Sequence, residues 1–168
     1  MKRIGILSDT HGYLHPRVFD FFSRCDEIWH AGDIGSLEVI DILRNFKPTL
    51  AVWGNIDDYK MRSFLPEKLI FDCEGLSVLI IHIAGRPGKY SREAKEAIKA
   101  HRPGLLVAGH SHILQVKYDA AEKLMFINPG AAGIHGFHHK ITMLRLAVDA
   151  GQMKDLEVFE IERNNGAT

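Results

Sequence analysis

The sequence predicts an α/β protein in which two β-sheets pack face to face with helices on their outer sides. Three observations carry that expectation. Short β-branched runs alternate with amphipathic stretches through the first two thirds of the chain, the remainder is strand-rich with little room for helix, and no linker, repeat or low-complexity segment divides it. A βαβαβ beginning followed by turn-linked strands needs a second sheet to cover its apolar face. At 168 residues the chain is expected to form a single domain, 1–168, with a substantial core.

The elements follow in order. Residues 3–7 read as a buried strand, followed by a helix near 16–24 with Pro16 suited to its first turn. Residues 27–30 form a second strand. A helix from Ser36 to about Asn45 has Ser36 as its cap and Leu37, Ile40 and Leu43 at helical spacing. Residues 49–53 are a third strand. Strands at 68–73 and 76–82 flank Glu74-Gly75, which predicts a hairpin. Ser91 caps a helix to His101, and 104–108 is another apolar strand. Strands at 115–118, 124–127, 141–146 and 156–161 follow, and the polar residues 163–168 are expected to fray.

Composition narrows the function classes. The 21 basic residues balance the 21 acidic ones, so no global field favours long nucleic acid or an anionic membrane. Cys25 and Cys73 lie far apart without CxxC spacing, which argues against a disulfide framework or zinc knuckle and fits a reducing cytoplasm. The apolar start stops at Ser8-Asp9, too early for a secretory segment, and the longest apolar segment, 76–84, is too short to span a bilayer. Ten histidines leave room for a metal site.

The positions of the polar residues are more informative than their number. Residues 3–7 run into Ser8-Asp9-Thr10-His11, 27–30 into Ala31-Gly32-Asp33, and 49–53 into Gly54-Asn55. Residues 76–81 end on His82, and 104–108 run into Gly109-His110-Ser111-His112. Alone, each has an ordinary structural role as a cap, a turn residue or a buried histidine. Together they place carboxylate, amide and imidazole groups at the carboxyl ends of five strands, where ligands bind in α/β sheets. Glycine before three of them allows tight turns and close backbone approach. This donor set suits intermediate divalent ions such as Mn²⁺, Fe²⁺, Ni²⁺ or Zn²⁺ better than Ca²⁺. A carboxylate can also bridge two such ions, the clamp used for in-line displacement at phosphorus.

The ordered series resembles the calcineurin-like metallophosphoesterases, especially their small bacterial and archaeal phosphodiesterase branch. The pattern D-x-H, G-D, G-N, a lone His and G-H-x-H is met by Asp9/His11, Gly32-Asp33, Gly54-Asn55, His82 and Gly109-His110-Ser111-His112, and covers the chain to about Gly130. The resemblance implies a four-layer α-β-β-α sandwich of two mixed sheets. It implies one metal held by Asp9, His11 and His112, a second by Asn55, His82 and His110, and Asp33 bridging both. Asp33, Asn55 and His110 are the expected catalytic residues, with two divalent ions as cofactors and Mn²⁺ the first choice. Asn128-Pro129-Gly130 resembles a late family loop near the site, although a plain proline turn reads equally well.

Two departures stand out. Many relatives follow the G-N pair with a histidine that contacts phosphate and serves as an acid for the leaving group; here that position is Ile56. Relatives of this branch commonly carry His-Gly at the lone histidine, whereas His82 is followed by Ile83-Ala84-Gly85, so the loop is expected to differ. The expected reaction is hydrolysis of a small phosphodiester or nucleotide-type substrate by metal-activated hydroxide, favouring activated aryl diesters. The competing reading is a non-catalytic protein-interaction scaffold on the same fold, as in the retromer coat subunit. His30 reads as structural, Arg86 and Lys89 as a solvated basic loop, and His135, His138 and His139 as surface or pocket-lining residues. Homo-oligomerisation is left open.

Overall fold

A computed structural model describes residues 1–163. The strands are β1 (Lys2–Leu7), β2 (Glu27–His30), β3 (Thr49–Ala51), β4 (Lys68–Cys73), β5 (Leu76–Ile81), β6 (Gly85–Arg86), β7 (Lys89–Tyr90), β8 (Leu105–Val107), β9 (Leu114–Asp119), β10 (Leu124–Pro129), β11 (Lys140–Asp149) and β12 (Gln152–Glu162). The helices are α1 (Arg17–Phe21), α2 (Leu37–Phe46), α3 (Tyr59–Phe64) and α4 (Arg92–His101). One mixed sheet has the order β12-β11-β1-β2-β3 and the other β4-β5-β8-β10-β9, with β6 and β7 pairing separately. Within them β1, β2 and β3 run parallel, as do β5, β8 and β10.

The period-2 alternation of the strands sorts the core into three layers. Ile4, Ile6, Trp29, Leu144 and Leu146 face Val78, Ile80, Leu105, Val107 and Ile127 between the sheets. Leu7 and Ile28 point the other way, onto Val18 of α1 and Phe22 at its end, and onto Ile40 and Leu43 of α2. Leu79, Leu106 and Phe126 pack under Ala94, Ala97 and Ile98 of α4. Burying each such side chain contributes about 1.5–3 kcal/mol. Two mixed sheets flanked by helices are thus the observed architecture.

The local corrections have physical causes. The first helix is only Arg17–Phe21, with Pro16 at its cap position and not inside its first turn. Ser36 sits at the N-cap of α2 with an extended backbone, but its side chain makes no capping hydrogen bond. Ser91 does cap α4, accepting from Ala94 N–H at 3.1 Å. Strand β3 stops at Ala51, because Trp53 N–H turns to the Pro66 carbonyl at 3.0 Å. Helix α3 and the β6–β7 hairpin have no counterpart among the elements expected from the sequence. Of the expected frayed tail, Arg163 is anchored by its N–H to the His139 carbonyl at 2.8 Å, and residues 164–168 lie outside the described residues.

Candidate metal centre

The seven candidate ligands leave the carboxyl ends of β1, β2, β3, β5 and β8 and converge at one end of the two sheets. Asp9, Asp33 and His82 are buried, His11 and His112 half-buried, and Asn55 and His110 exposed, so the site is closed beneath and open at Asn55 and His110. Asp9, His11 and His112 form one group able to hold an ion, and Asp33, His82 and His110 a second. In the first, Asp9 Oδ1 lies 3.2 Å from His112 Nε2 and 3.9 Å from His11 Nε2. In the second, the Asn55 amide oxygen lies 3.0 Å from both His82 Nε2 and His110 Nδ1. Asp33 faces both: Oδ2 is 3.6 Å from His11 Nε2 and Oδ1 is 3.2 Å from His82 Nε2.

The donors fit divalent cations on a specific ground. Asp9 Oδ2 accepts from Ser8 Oγ at 2.7 Å and His110 N–H at 3.1 Å, yet its buried Oδ1 has no hydrogen-bond partner. His11 Nε2 is buried and unpartnered as well. Such orphaned groups cost about 1–3 kcal/mol each, which a cation among them would offset. His82 is oriented for that role. Its Nδ1 donates to the Ala31 carbonyl at 2.7 Å, so in the neutral imidazole Nε2 is the nitrogen left free to face a cation.

Backbone strain is concentrated here. Asp9, His11, Asp33, His110 and His112 have φ of 55°, 46°, 53°, 71° and 60°, the left-handed region that side chains rarely adopt. Two glycines make room for the carboxylates: a Cβ on Gly54 would collide with Asp33, and one on Gly109 with Ser8 Oγ.

Charge and burial compete at these residues. Burial pushes the Asp9 carboxyl up, but contact with His112, the charge of His82 and the Ser8 hydroxyl together hold it below the usual value. Burial likewise pushes Asp33 up, and His82 with the Ile56 N–H brings it down on balance. His82 itself is raised, because Asp33 and Asp9 outweigh the burial that would lower it.

Several supporting residues had no signal, or only a weak one, in the sequence. Asp57 accepts from Ile34, Gly35 and Gly54 N–H and so ties two ligand loops together; its place two residues after Asn55 was the only clue. Asn128 donates to the Gly109 carbonyl at 2.8 Å and to Ser111 Oγ at 3.0 Å, bracing the loop that carries His110 and His112. His30 is wholly buried; its Nδ1 accepts from Gly32 N–H and its Nε2 meets Thr10 Oγ1 at 2.9 Å. Ser8 was visible only as the residue before Asp9.

An open groove lies over the centre. Its rim carries exposed Ile56, Ile113 and Phe137, and His135 lies with its ring 5.1 Å from that of His11. No lysine or arginine lines it among the described residues. Arg86 and Lys89, on β6 and β7, border a different cavity beside Ser111 and Ile113. His138 contacts His112, while His139 is exposed.

Residues 1–151 match the family model of the calcineurin-like phosphoesterase superfamily domain. A protein of Methanocaldococcus jannaschii named probable metallophosphoesterase is 31% identical over 139 residues, covering 76% of this chain and 67% of its own. A phosphodiesterase of the same organism is 25% identical over 144 residues, covering 76% and 82%. In fold the chain is similar to Vps29 of Chaetomium thermophilum, with a TM-score of 0.77 at 14% identity over 97% of this chain and 100% of that one. The matched model, and the identity to an archaeal relative over most of this chain, show that the protein belongs to the calcineurin-like phosphoesterase superfamily.

Proposed function

We propose that this phosphoesterase is a dinuclear phosphodiesterase that favours activated aryl diesters. The observation that carries the reading is Asp33, whose two oxygens face the two donor groups separately. Asp9, His11 and His112 would hold one ion and Asn55, His82 and His110 the other. Divalent ions held there, Mn²⁺ first and Fe²⁺, Ni²⁺ or Zn²⁺ as alternatives, would supply a water of lowered pKa and positive charge against the phosphoryl oxygens.

The protein's own groups then set the substrate. Ser8 and the His110 N–H fix one Asp9 oxygen and turn the other toward the site. The Ile56 N–H orients Asp33 at 3.0 Å, while the Ile56 side chain has no proton to give a departing alkoxide. A leaving group that departs unaided, such as an aryl oxide, suits that environment. At the groove over the centre, Ile56, Ile113 and Phe137 offer apolar surface to the arms of a diester.

The scaffold reading draws support from the likeness to Vps29 alone, and the complete donor set speaks against it. The two separate in one experiment. Metal-free protein is loaded with Mn²⁺, Fe²⁺, Ni²⁺ or Zn²⁺, and hydrolysis of bis(p-nitrophenyl) phosphate and of an alkyl phosphomonoester is measured, with Asp33→Ala as control. The expected result is metal-dependent diester hydrolysis that Asp33→Ala abolishes. Protein that binds no divalent ion would favour the scaffold.

A further inference from the structure

His138 belongs to neither donor group but sits directly behind one of them. Its Nδ1 lies 3.1 Å from His112 Nδ1, with the rings edge to face at 5.0 Å, and its Nε2 lies 2.7 Å from the Gly133 carbonyl. These contacts have a direction. A carbonyl only accepts, so the His138 proton sits on Nε2 and its Nδ1 is a lone pair. The contact between the two rings then requires the His112 proton on Nδ1. In the neutral imidazole that leaves His112 Nε2 free of a proton, and Nε2 is the atom that faces Asp9 Oδ1 at 3.2 Å.

The start of this chain is itself fixed. Gly133 N–H donates to the Asp9 carbonyl at 3.1 Å and Ala132 N–H to the Ser8 carbonyl at 2.9 Å, so the accepting carbonyl is tied to the Asp9 loop. A Cβ on Gly133 would lie 2.7 Å from the Asp9 carbonyl oxygen, which leaves no slack there. Farther along the same loop, Arg163 donates to the carbonyls of Gly136 at 2.7 Å and Ile134 at 3.0 Å. Gly136 closes over the pair: a Cβ there would lie 2.6 Å from His112 Cε1. His82 obtains the same tautomer directly from the Ala31 carbonyl. For His112 the carbonyl acts one ring removed.

We propose that His138 is a positioning residue that transmits the direction of the Gly133 carbonyl to His112 and holds His112 Nε2 free for a metal ion. The proposal rests on the reading of His112 as a ligand. Loss of such an orienting partner typically lowers metal affinity roughly 10–100-fold.

The test compares wild type, His138→Leu and His138→Asn in the full chain, with thermal unfolding to show that each is folded. Asparagine can place an acceptor near the position of Nδ1; leucine cannot. Imidazole ¹⁵N shifts of the metal-free proteins report the His112 tautomer, and Mn²⁺ titration against a chelator reports each site. In wild type and His138→Asn, His112 is expected to carry its proton on Nδ1. In His138→Leu the tautomers mix, and one Mn²⁺ site weakens roughly 10–100-fold while the other holds. Should His138→Leu not fold, His138→Gln takes its place, reaching Gly133 without an acceptor at the Nδ1 position. An unchanged His112 tautomer in the leucine variant overturns the proposal, as does equal weakening in both variants. Wild type that binds no Mn²⁺ overturns the metal-centre reading and the proposal with it; normal wild-type binding with His138→Leu unaffected overturns the proposal alone.

Discussion

The Asp57 carboxylate accepts the Gly54 N–H at 2.8 Å through the same oxygen that takes Ile34 N–H at 3.2 Å, while its other oxygen takes Gly35 N–H at 2.9 Å. One buried side chain therefore holds the loop after β2 to the loop after β3, and with them Asp33 to Asn55. Removing it leaves three backbone donors unpaired. Asp57→Ala is expected to lower the stability of the metal-free protein by about 2–4 kcal/mol and to weaken metal binding by loosening both loops. Denaturant unfolding and metal titration measure the two effects. A stability loss within error of zero would mean that the loops hold without it.

His30 makes the acid stability of the protein predictable. Complete burial holds its pKa down to about 3, against 6.5 for the free side chain. Once the chain unfolds, the imidazole takes up a proton below pH 6.5, whereas the folded chain refuses it until near pH 3. The stabilising contribution is thus complete above pH 6.5 and is lost as the pH falls toward 3, by up to about 1.4 kcal/mol per pH unit. Between pH 7 and pH 5, wild type is expected to lose about 2 kcal/mol more than His30→Gln. Denaturant curves of the metal-free proteins at the two pH values measure this; parallel losses would show that His30 is not held neutral.

The framework was legible because strand period and strand-end polarity are local signals. Asp9, Asp33, Asn55, His82 and His110 each follow an apolar run, and those runs are β1, β2, β3, β5 and β8. What escaped was long-range or small. Helix α3 is only six residues, announced by Asp58 accepting from Met61 N–H at 2.9 Å and by Met61 and Leu65 on one face. Asp57 reads as an ordinary loop acid until Ile34 and Gly35 are folded beside it. The left-handed backbone at Asp9, His11 and Asp33 leaves no mark on residues that are not glycine, because tertiary contacts enforce it. The role of His138 depends on a loop of 131–139 that folds back onto Ser8 and Asp9, across more than a hundred positions of sequence.

The groove rim offers a test of substrate preference that leaves the donors untouched. Phe137 is fully exposed and Ile113 largely so, yet both border the groove over the centre. An aromatic or aliphatic contact of this kind contributes about 0.5–1.5 kcal/mol. The double variant Ile113→Ser/Phe137→Ser is expected to raise KM for bis(p-nitrophenyl) phosphate roughly threefold to tenfold, with Mn²⁺ affinity unchanged. Steady-state kinetics beside a metal titration separates the two. An unaltered KM would remove the rim from the substrate's path.

Ile56 provides the sharpest test of leaving-group chemistry. Its backbone N–H holds Asp33 Oδ1 at 3.0 Å, a bond that any residue but proline can keep, and the isoleucine side chain is exposed at the groove. Ile56→His should therefore leave the donor groups in place while adding an imidazole beside them. A positioned acid contributes about 10²–10⁴-fold where the leaving group needs a proton and little where it does not. The variant is expected to raise kcat for an alkyl diester at least roughly tenfold, while kcat for bis(p-nitrophenyl) phosphate changes by less than about threefold. Mn²⁺ affinity should match wild type. The ratio of the two kcat values is the decisive quantity, because a change in metal loading or folding moves both substrates together. Equal gains on both, or none on the alkyl diester, would show that a proton donor at position 56 does not set the proposed preference for activated esters.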